Sequence, residues 1–115
     1  MIKNKKILIT GIYGFLGQHL AQRLHTDNEI IGINQSNQDK NFQLPNVSII
    51  EGDISVPKTL DNVASDIDFI FHFGSPTSVV LFKKDPTKYY ANTINGMKNI
   101  LQFAKNQSVT KLIFP

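Results

Sequence analysis

A chain of 115 residues, 41% hydrophobic and 18% charged, has the size and balance of one compact domain, 1–115, and excludes a disordered or fibrous chain. The absence of cysteine excludes a disulfide framework and a thiolate metal site, and makes a reducing cytoplasm the natural setting. The net charge of +3 comes mostly from lysines spread along the chain, with Arg23 the one arginine and no interleaved aromatics, so no nucleic-acid partner is expected.

The chain begins with Lys3, Lys5 and Lys6 ahead of Ile7-Leu8-Ile9, a brief imitation of a secretory signal. Thr10 and Gly11 cut that apolar run far short of a signal core, and no later run is long enough to span a bilayer, so no membrane partner is expected. The run reads instead as a strand over 6–10, followed by a helix over 15–26 whose apolar residues recur at helical spacing. Gly11, Gly14 and Gly17 fall at the corner between them. Gly11 suits a tight turn, Gly14 lets the main chain approach phosphate oxygens, and Gly17 lets the helix pack against the strand. The helix's first N–H groups and dipole then face an anion, which makes the corner a pyrophosphate cradle. A Gly-Lys-Ser/Thr sequence is absent, which excludes a mononucleotide P-loop.

Further strands are expected at 29–34, 47–51, 68–73 and 111–114, and further helices at 57–65 and 86–106. Alternating strands and helices imply an α/β fold, a Rossmann-type doubly wound parallel sheet in the order 3-2-1-4-5, with the ligand where the order reverses. The polar stretch from Gln35 to Asn46 reads as a loop near the ligand. The last helix has Asp85 as its N-cap and Pro86 at its first position. Its stripe Tyr90, Ile94, Met97, Leu101 and Ala104 is expected to pack in the core, with Tyr89, Ile100 and Phe103 widening the apolar surface.

The corner Thr10-Gly11-x-x-Gly14-x-x-Gly17 resembles the cofactor motif of the short-chain dehydrogenases/reductases. The run Gly14-Phe15-Leu16-Gly17-Gln18-His19-Leu20 is similar to their extended branch, the NAD-dependent epimerases and dehydratases of nucleotide sugars. The resemblance implies a cofactor turn of Gly11, Tyr13, Gly14, Phe15, Leu16 and Gly17. Glu51-Gly52-Asp53-Ile54 resembles the family's Gly-Asp-Ile/Leu, whose aspartate meets the adenine amino group; the lesser alternative for Asp53 is a plain turn aspartate. Phe71-His72-Phe73-Gly74-Ser75-Pro76 resembles His-Leu-Ala-Ser-Pro, where small residues let the main chain approach the cofactor. That places Phe73, Gly74 and Ser75 in the site and gives His72 no proton-transfer role. Asn92 to Asn99 is similar to the family's Asn-x-x-Gly-Thr-x-Asn, with Met97 in place of threonine and Asn92 supporting the active site from behind.

The second strand ends at Asn34, where an Asp or Glu usually reads the adenine ribose. An amide brings no charge to repel a 2′-phosphate, yet Gln35, Ser36 and Asn37 bring no cation to hold one. The expected cofactor is NAD, with NADP not excluded. The family's Tyr-x-x-x-Lys pair is absent: Tyr13, Tyr89 and Tyr90 are followed four residues later by Gly17, Thr93 and Ile94. The chain therefore reads as the N-terminal, cofactor-binding part of a longer enzyme cut near strand five, inactive alone, whose nucleotide-sugar substrate belongs to the complete protein. The alternative is a non-catalytic NAD(P)-binding or sensing module. His19, His25 and His72 lack metal-ligand spacing, Asp66 and Asp68 read as turn residues, and Ser75 and Ser78 lack an orienting acid for a triad. A homodimer is expected through the 86–106 helix, as the resemblance implies, or through the exposed strand edge Leu112-Ile113-Phe114.

Overall fold

The computed structural model describes residues 1–35, 42–75 and 79–115. Five parallel strands form one sheet: β1 Lys6–Thr10, β2 Glu29–Asn34, β3 Val47–Glu51, β4 Phe69–His72 and β5 Lys111–Ile113. Their order is β3-β2-β1-β4-β5, the doubly wound arrangement expected of a Rossmann-type fold. Three α-helices connect them: α1 Phe15–Leu24, α2 Val79–Lys84 and α3 Pro86–Gln107.

Strand alternation splits the apolar residues into two layers. Ile7, Ile9 and Ile30 turn to the α1 side, where they join Ile12 and Ala21 and are flanked by Leu20, Leu24, Phe69 and Phe71. Leu8, Ile31, Ile33 and Ile70 turn to the other side and meet Ile54, Leu60, Val63, Ile67 and Ile100. β1 lies at the centre of the sheet and is buried on both faces, which is why it reads as an unbroken apolar run. Gly32 falls on the α1 face of β2, and the space its side chain would fill is taken by Ile12, whose Cδ1 lies 2.5 Å from a built Cβ.

Three sequence expectations need correction. The expected helix over 57–65 is a 3-10 helix over Pro57–Asn62, opened by Pro57 and closed when Val63 returns to extended backbone. The sequence gives no clear signal for α2, a six-residue helix with β-branched residues at its start; it docks on α3 through Phe82, whose ring stands 5.4 Å from those of Tyr89 and Tyr90. The third correction concerns α3. Its N-terminus is as expected, with Asp85 Oδ1 accepting the Lys88 N–H at 3.2 Å. Its buried face, however, is Gly96 and Ile100, with Phe103 and Ala104 packed at the core's margin, while Tyr90, Ile94 and Leu101 are more than half exposed. Gly96 packs closely on Ile54: a Cβ there would lie 3.0 Å from Ile54 Cγ2, tight enough that Ile54 would have to shift. The helix thus carries two apolar faces, and burial follows the one that contains the glycine.

Residues 36–41 of the expected polar loop, and Pro76 to Ser78, lie outside the described residues. Asp66 is exposed with φ 71°, and Asp68 Oδ2 accepts the Lys6 N–H at 2.8 Å, so both serve the turn before β4. Among the described residues no group of three or more His, Asp or Glu side chains is placed to hold a metal ion, and no helix is long and apolar enough to cross a membrane.

Candidate functional site

The carboxyl ends of β1, β2, β3 and β4 open onto a cleft of about 420 Å³. It lies at the reversal of strand order, between β1 and β4, where doubly wound sheets hold ligands. Thr10, Gly11 and Gly14 form one wall, Ile33, Asn34 and Gln35 a second, Gly52, Asp53 and Ile54 a third, and Phe73, Gly74 and Ser75 the fourth, with Asn92 reaching in from α3.

The glycine corner is built by close main-chain contacts. Gly11 has φ 69°, the left-handed region that residues with a Cβ rarely adopt, and its N–H donates to Ile33 O at 2.8 Å. A Cβ there would lie 2.8 Å from the carbonyl carbon of Phe73 and 2.9 Å from Gly74 N, so the β1 and β4 ends pass each other with no room for a side chain. A Cβ on Gly17 would collide with Gly11 O, so α1 packs directly against its own entry turn. Gly14 is the N-cap of α1, with no side chain capping the helix and no acidic residue in its first turn. The N–H groups of that turn have no carbonyl a turn earlier to receive them, and the helix dipole adds positive potential there. The N–H groups of Gly11, Ile12, Tyr13 and Gly14 are taken up within the corner by Ile33 O, Asn34 Oδ1 and Gly11 O, so the donors left for an anion are those of the first turn of α1, where no acidic residue stands.

The third wall is held from outside the cleft. Asp53 Oδ1 accepts from Ser55 N at 2.9 Å and Ser55 Oγ at 2.8 Å, and Asp53 O accepts from Thr59 Oγ1 at 2.6 Å. Asn99 of α3 donates through Nδ2 to Ile54 O at 2.9 Å. The Asp53 carboxylate is therefore anchored on one oxygen, and the main chain of Asp53–Ile54 is clamped from two elements.

The fourth wall is tied to β1 by Thr10. Its carbonyl accepts from Phe73 N at 3.1 Å, and its hydroxyl accepts from Gly74 N at 2.9 Å. The same hydroxyl lies 2.7 Å from His72 Nδ1, and His72 Nε2 lies 3.4 Å from Ser75 Oγ. His72 is buried, its ring stacked against Phe114, and burial pushes its pKa below the ordinary value of 6.5. It is a neutral imidazole at pH 7.

Of the residues expected in the site, Gly11, Gly14, Asn34, Asp53, Ile54, Phe73, Gly74 and Ser75 line the cleft together. Gly17 lies behind it as a packing position. Tyr13 sits beside the cleft, its N–H 3.4 Å from Asn34 Oδ1 and its ring edge-on to Phe42 at 5.7 Å. Phe15 and Leu16 are exposed on the first turn of α1 and line none of the four walls. Thr10, Ile33, Gln35 and Gly52 line the cleft without having been singled out as cofactor contacts, and Thr59 and Asn99 support it from behind. The strand-end position of Thr10 is a signal for its role, and Thr59 lies only six residues beyond Asp53 in the same connection; nothing local marks Asn99, whose partner Ile54 is 45 residues away.

Residues 7–115 match the model of the NAD dependent epimerase/dehydratase family. UDP-glucuronic acid decarboxylase 4 of Arabidopsis thaliana is 33% identical over 107 residues, covering 87% of this chain and 23% of that protein. UDP-glucose 4-epimerase of Halalkalibacterium halodurans is 29% identical, over 94% of this chain and 33% of its own length. Among solved structures, UDP-N-acetylglucosamine 4-epimerase from Methanobrevibacter ruminantium M1, in complex with UDP-N-acetylmuramic acid, superposes with a TM-score of 0.84 at 29% identity, over 98% of this chain and 38% of that one. The chain thus spans between 23% and 38% of the length of these relatives. With the ordered motifs, the strand order and the cleft agreeing along almost its whole length, the chain belongs to the NAD dependent epimerase/dehydratase family.

Proposed function

We propose that this chain is the dinucleotide-binding portion of an NAD-dependent enzyme that modifies nucleotide sugars. The observation that carries the reading is the bare-backbone cradle at Gly11 and Gly14, facing the uncapped start of α1, in the cleft where the strand order reverses. The pyrophosphate would lie along that cradle and the adenosine toward Asn34, Asp53 and Ile54. The nicotinamide half would lie toward Phe73, Gly74 and Ser75. NAD supplies a hydride acceptor when bound; this chain's part is to hold the dinucleotide and exclude water beneath it. The curated relatives are named as decarboxylases and epimerases of UDP-sugars, which favours an enzymatic parent over a sensing module.

The chain holds no Tyr-x-x-x-Lys pair to move the proton of a sugar hydroxyl, so it is expected to bind cofactor without turning over a nucleotide sugar by itself. Asn34 has its Oδ1 toward the Tyr13 N–H, and its amide brings no charge against a 2′-phosphate, so the preference for NAD rests on the lack of a cation at Gln35. Calorimetric titration with NAD, NADP and ADP-ribose tests the reading. NAD and ADP-ribose are expected to bind, and NADP more weakly. Binding of none of the three would overturn the function, and tighter NADP binding would overturn the cofactor preference. A homodimer through α3 or the β5 edge belongs to the same proposal, and light scattering showing a strict monomer at high concentration would remove it.

A further inference from the structure

His72 has no task in holding a dinucleotide by the cradle, yet it is buried at 1% exposure between two polar residues of the cleft wall. Counting protons there gives it one. The Thr10 hydroxyl carries a single hydrogen and accepts the Gly74 N–H. Among the described residues its remaining partner is His72 Nδ1, at 2.7 Å. If Nδ1 carried the ring proton, that proton and the hydroxyl hydrogen would compete for the short contact. The hydroxyl hydrogen would then be left without an acceptor on a side chain that is 1% exposed. Thr10 must therefore donate to Nδ1, which puts the proton of the neutral ring on Nε2. From there it points at Ser75 Oγ, 3.4 Å away. That contact is long, so it biases the Ser75 rotor more than it locks it. Phe114, stacked on the imidazole at 5.9 Å between centroids, covers one face of the ring and leaves the proton order to Thr10.

We propose that His72 is a positioning residue: fixed as the Nε2–H tautomer by Thr10, it occupies a lone pair of the Ser75 hydroxyl and turns that hydroxyl's hydrogen toward the cleft, as a donor for an oxygen of the bound dinucleotide. The chain of bonds runs from the Gly74 N–H to Thr10, from Thr10 to His72 and from His72 to Ser75, and it ties the β1 end to the fourth wall in one direction only. Only the final donation, to the dinucleotide, rests on the function proposed above.

Nitrogen-15 multiple-bond spectra of the histidine rings of the free chain, taken above pH 7.5, test the proton order. An unprotonated Nδ1 and a protonated Nε2 are expected for His72, and the opposite tautomer overturns the proposal. Thr10→Ser should keep that tautomer and the slow hydrogen exchange of the Gly74 amide. Thr10→Val should mix the tautomers and speed that exchange, and unchanged values in a folded Thr10→Val chain would overturn the proposal. If Thr10→Val does not fold, the spectra of the unaltered chain and of Thr10→Ser decide. The donor role is read by calorimetry: Ser75→Ala should weaken NAD by roughly three- to tenfold, with Ser75→Thr restoring it. Equal affinity in Ser75→Ala overturns that role. Absence of NAD binding by the unaltered chain would end the cofactor reading instead, and the tautomer then decides the proton order alone.

Discussion

The two ends of the sheet are both polar and both concave, but they use their polar groups in opposite ways. At the amino ends of the strands, side chains close the structure on itself. Asn28 accepts from Lys5 N at 3.0 Å and donates to Ile2 O at 3.1 Å and Leu24 O at 2.9 Å; Asp68 caps Lys6 N, and Gln107 Oε1 accepts the Asp66 N–H. At the carboxyl ends, side chains such as Thr10, Thr59 and Asn99 hold the loops in place, and glycines at positions 11, 14, 52 and 74 bring main chain to the cleft surface between Asn34, Asp53 and Ser75. Polar residues by themselves therefore do not mark a site. What distinguishes the cleft end is that glycines bring main chain to its surface while the supporting side chains bond behind it.

The sharpest way to break this contrast is to cover the uncovered backbone. Gly11→Ala would place a Cβ 2.8 Å from the Phe73 carbonyl carbon at φ 69°. The left-handed conformation and the forced shift of β4 together should cost about 2–5 kcal/mol of stability, read by urea unfolding. NAD binding should disappear from whatever fraction remains folded. A variant that kept both stability and affinity would mean that the close passage of β1 and β4 is not what shapes the cradle.

At the opposite end the prediction separates stability from binding. Asn28 is 5% exposed, and Asn28→Ala leaves the Lys5 N–H and two carbonyls without their partner, which should cost about 1–3 kcal/mol. NAD affinity measured on the folded chain should stay within about twofold, because a lost hydrogen-bond group at one end of a rigid sheet gives no differential contact at the other. A tenfold loss of affinity would show the two ends to be coupled and would remove the contrast.

Much of this architecture was legible in the sequence, and the reason is physical. β1 and β2 are continuous apolar runs because both faces of a central parallel strand are buried, and the order 3-2-1-4-5 follows from right-handed crossovers once the strands are found. The glycine corner was legible because only glycine fits its φ and its contacts. Helix α3 was not legible in the same way. Ile100 is fully buried and Leu101 is 51% exposed, yet both sit on apolar stripes of similar spacing. Periodicity finds a face without saying what stands opposite it, and here the partner is Ile54, a residue that enters through a different crossover. The same holds for one support of the cleft: Asn99 acts on Ile54 across 45 residues that no local pattern spans.

Asn99 gives the finest test, because it belongs to α3 by sequence and to the Asp53–Ile54 wall by contact. Asn99→Leu keeps the size of the side chain and its place beside Ile54, and removes only the donor to Ile54 O. If that bond merely stabilised the helix, unfolding would register the change and ligand affinity would not. If it holds the Asp53–Ile54 main chain where the adenosine is proposed to lie, ADP-ribose affinity should fall by about fivefold, the equivalent of about one kcal/mol for one lost hydrogen bond. Inorganic pyrophosphate, which on the proposed reading meets only the glycine corner, should bind as before. A loss shared equally by both ligands would place the effect in the whole sheet end, and no loss for either would leave the clamp without a part in binding.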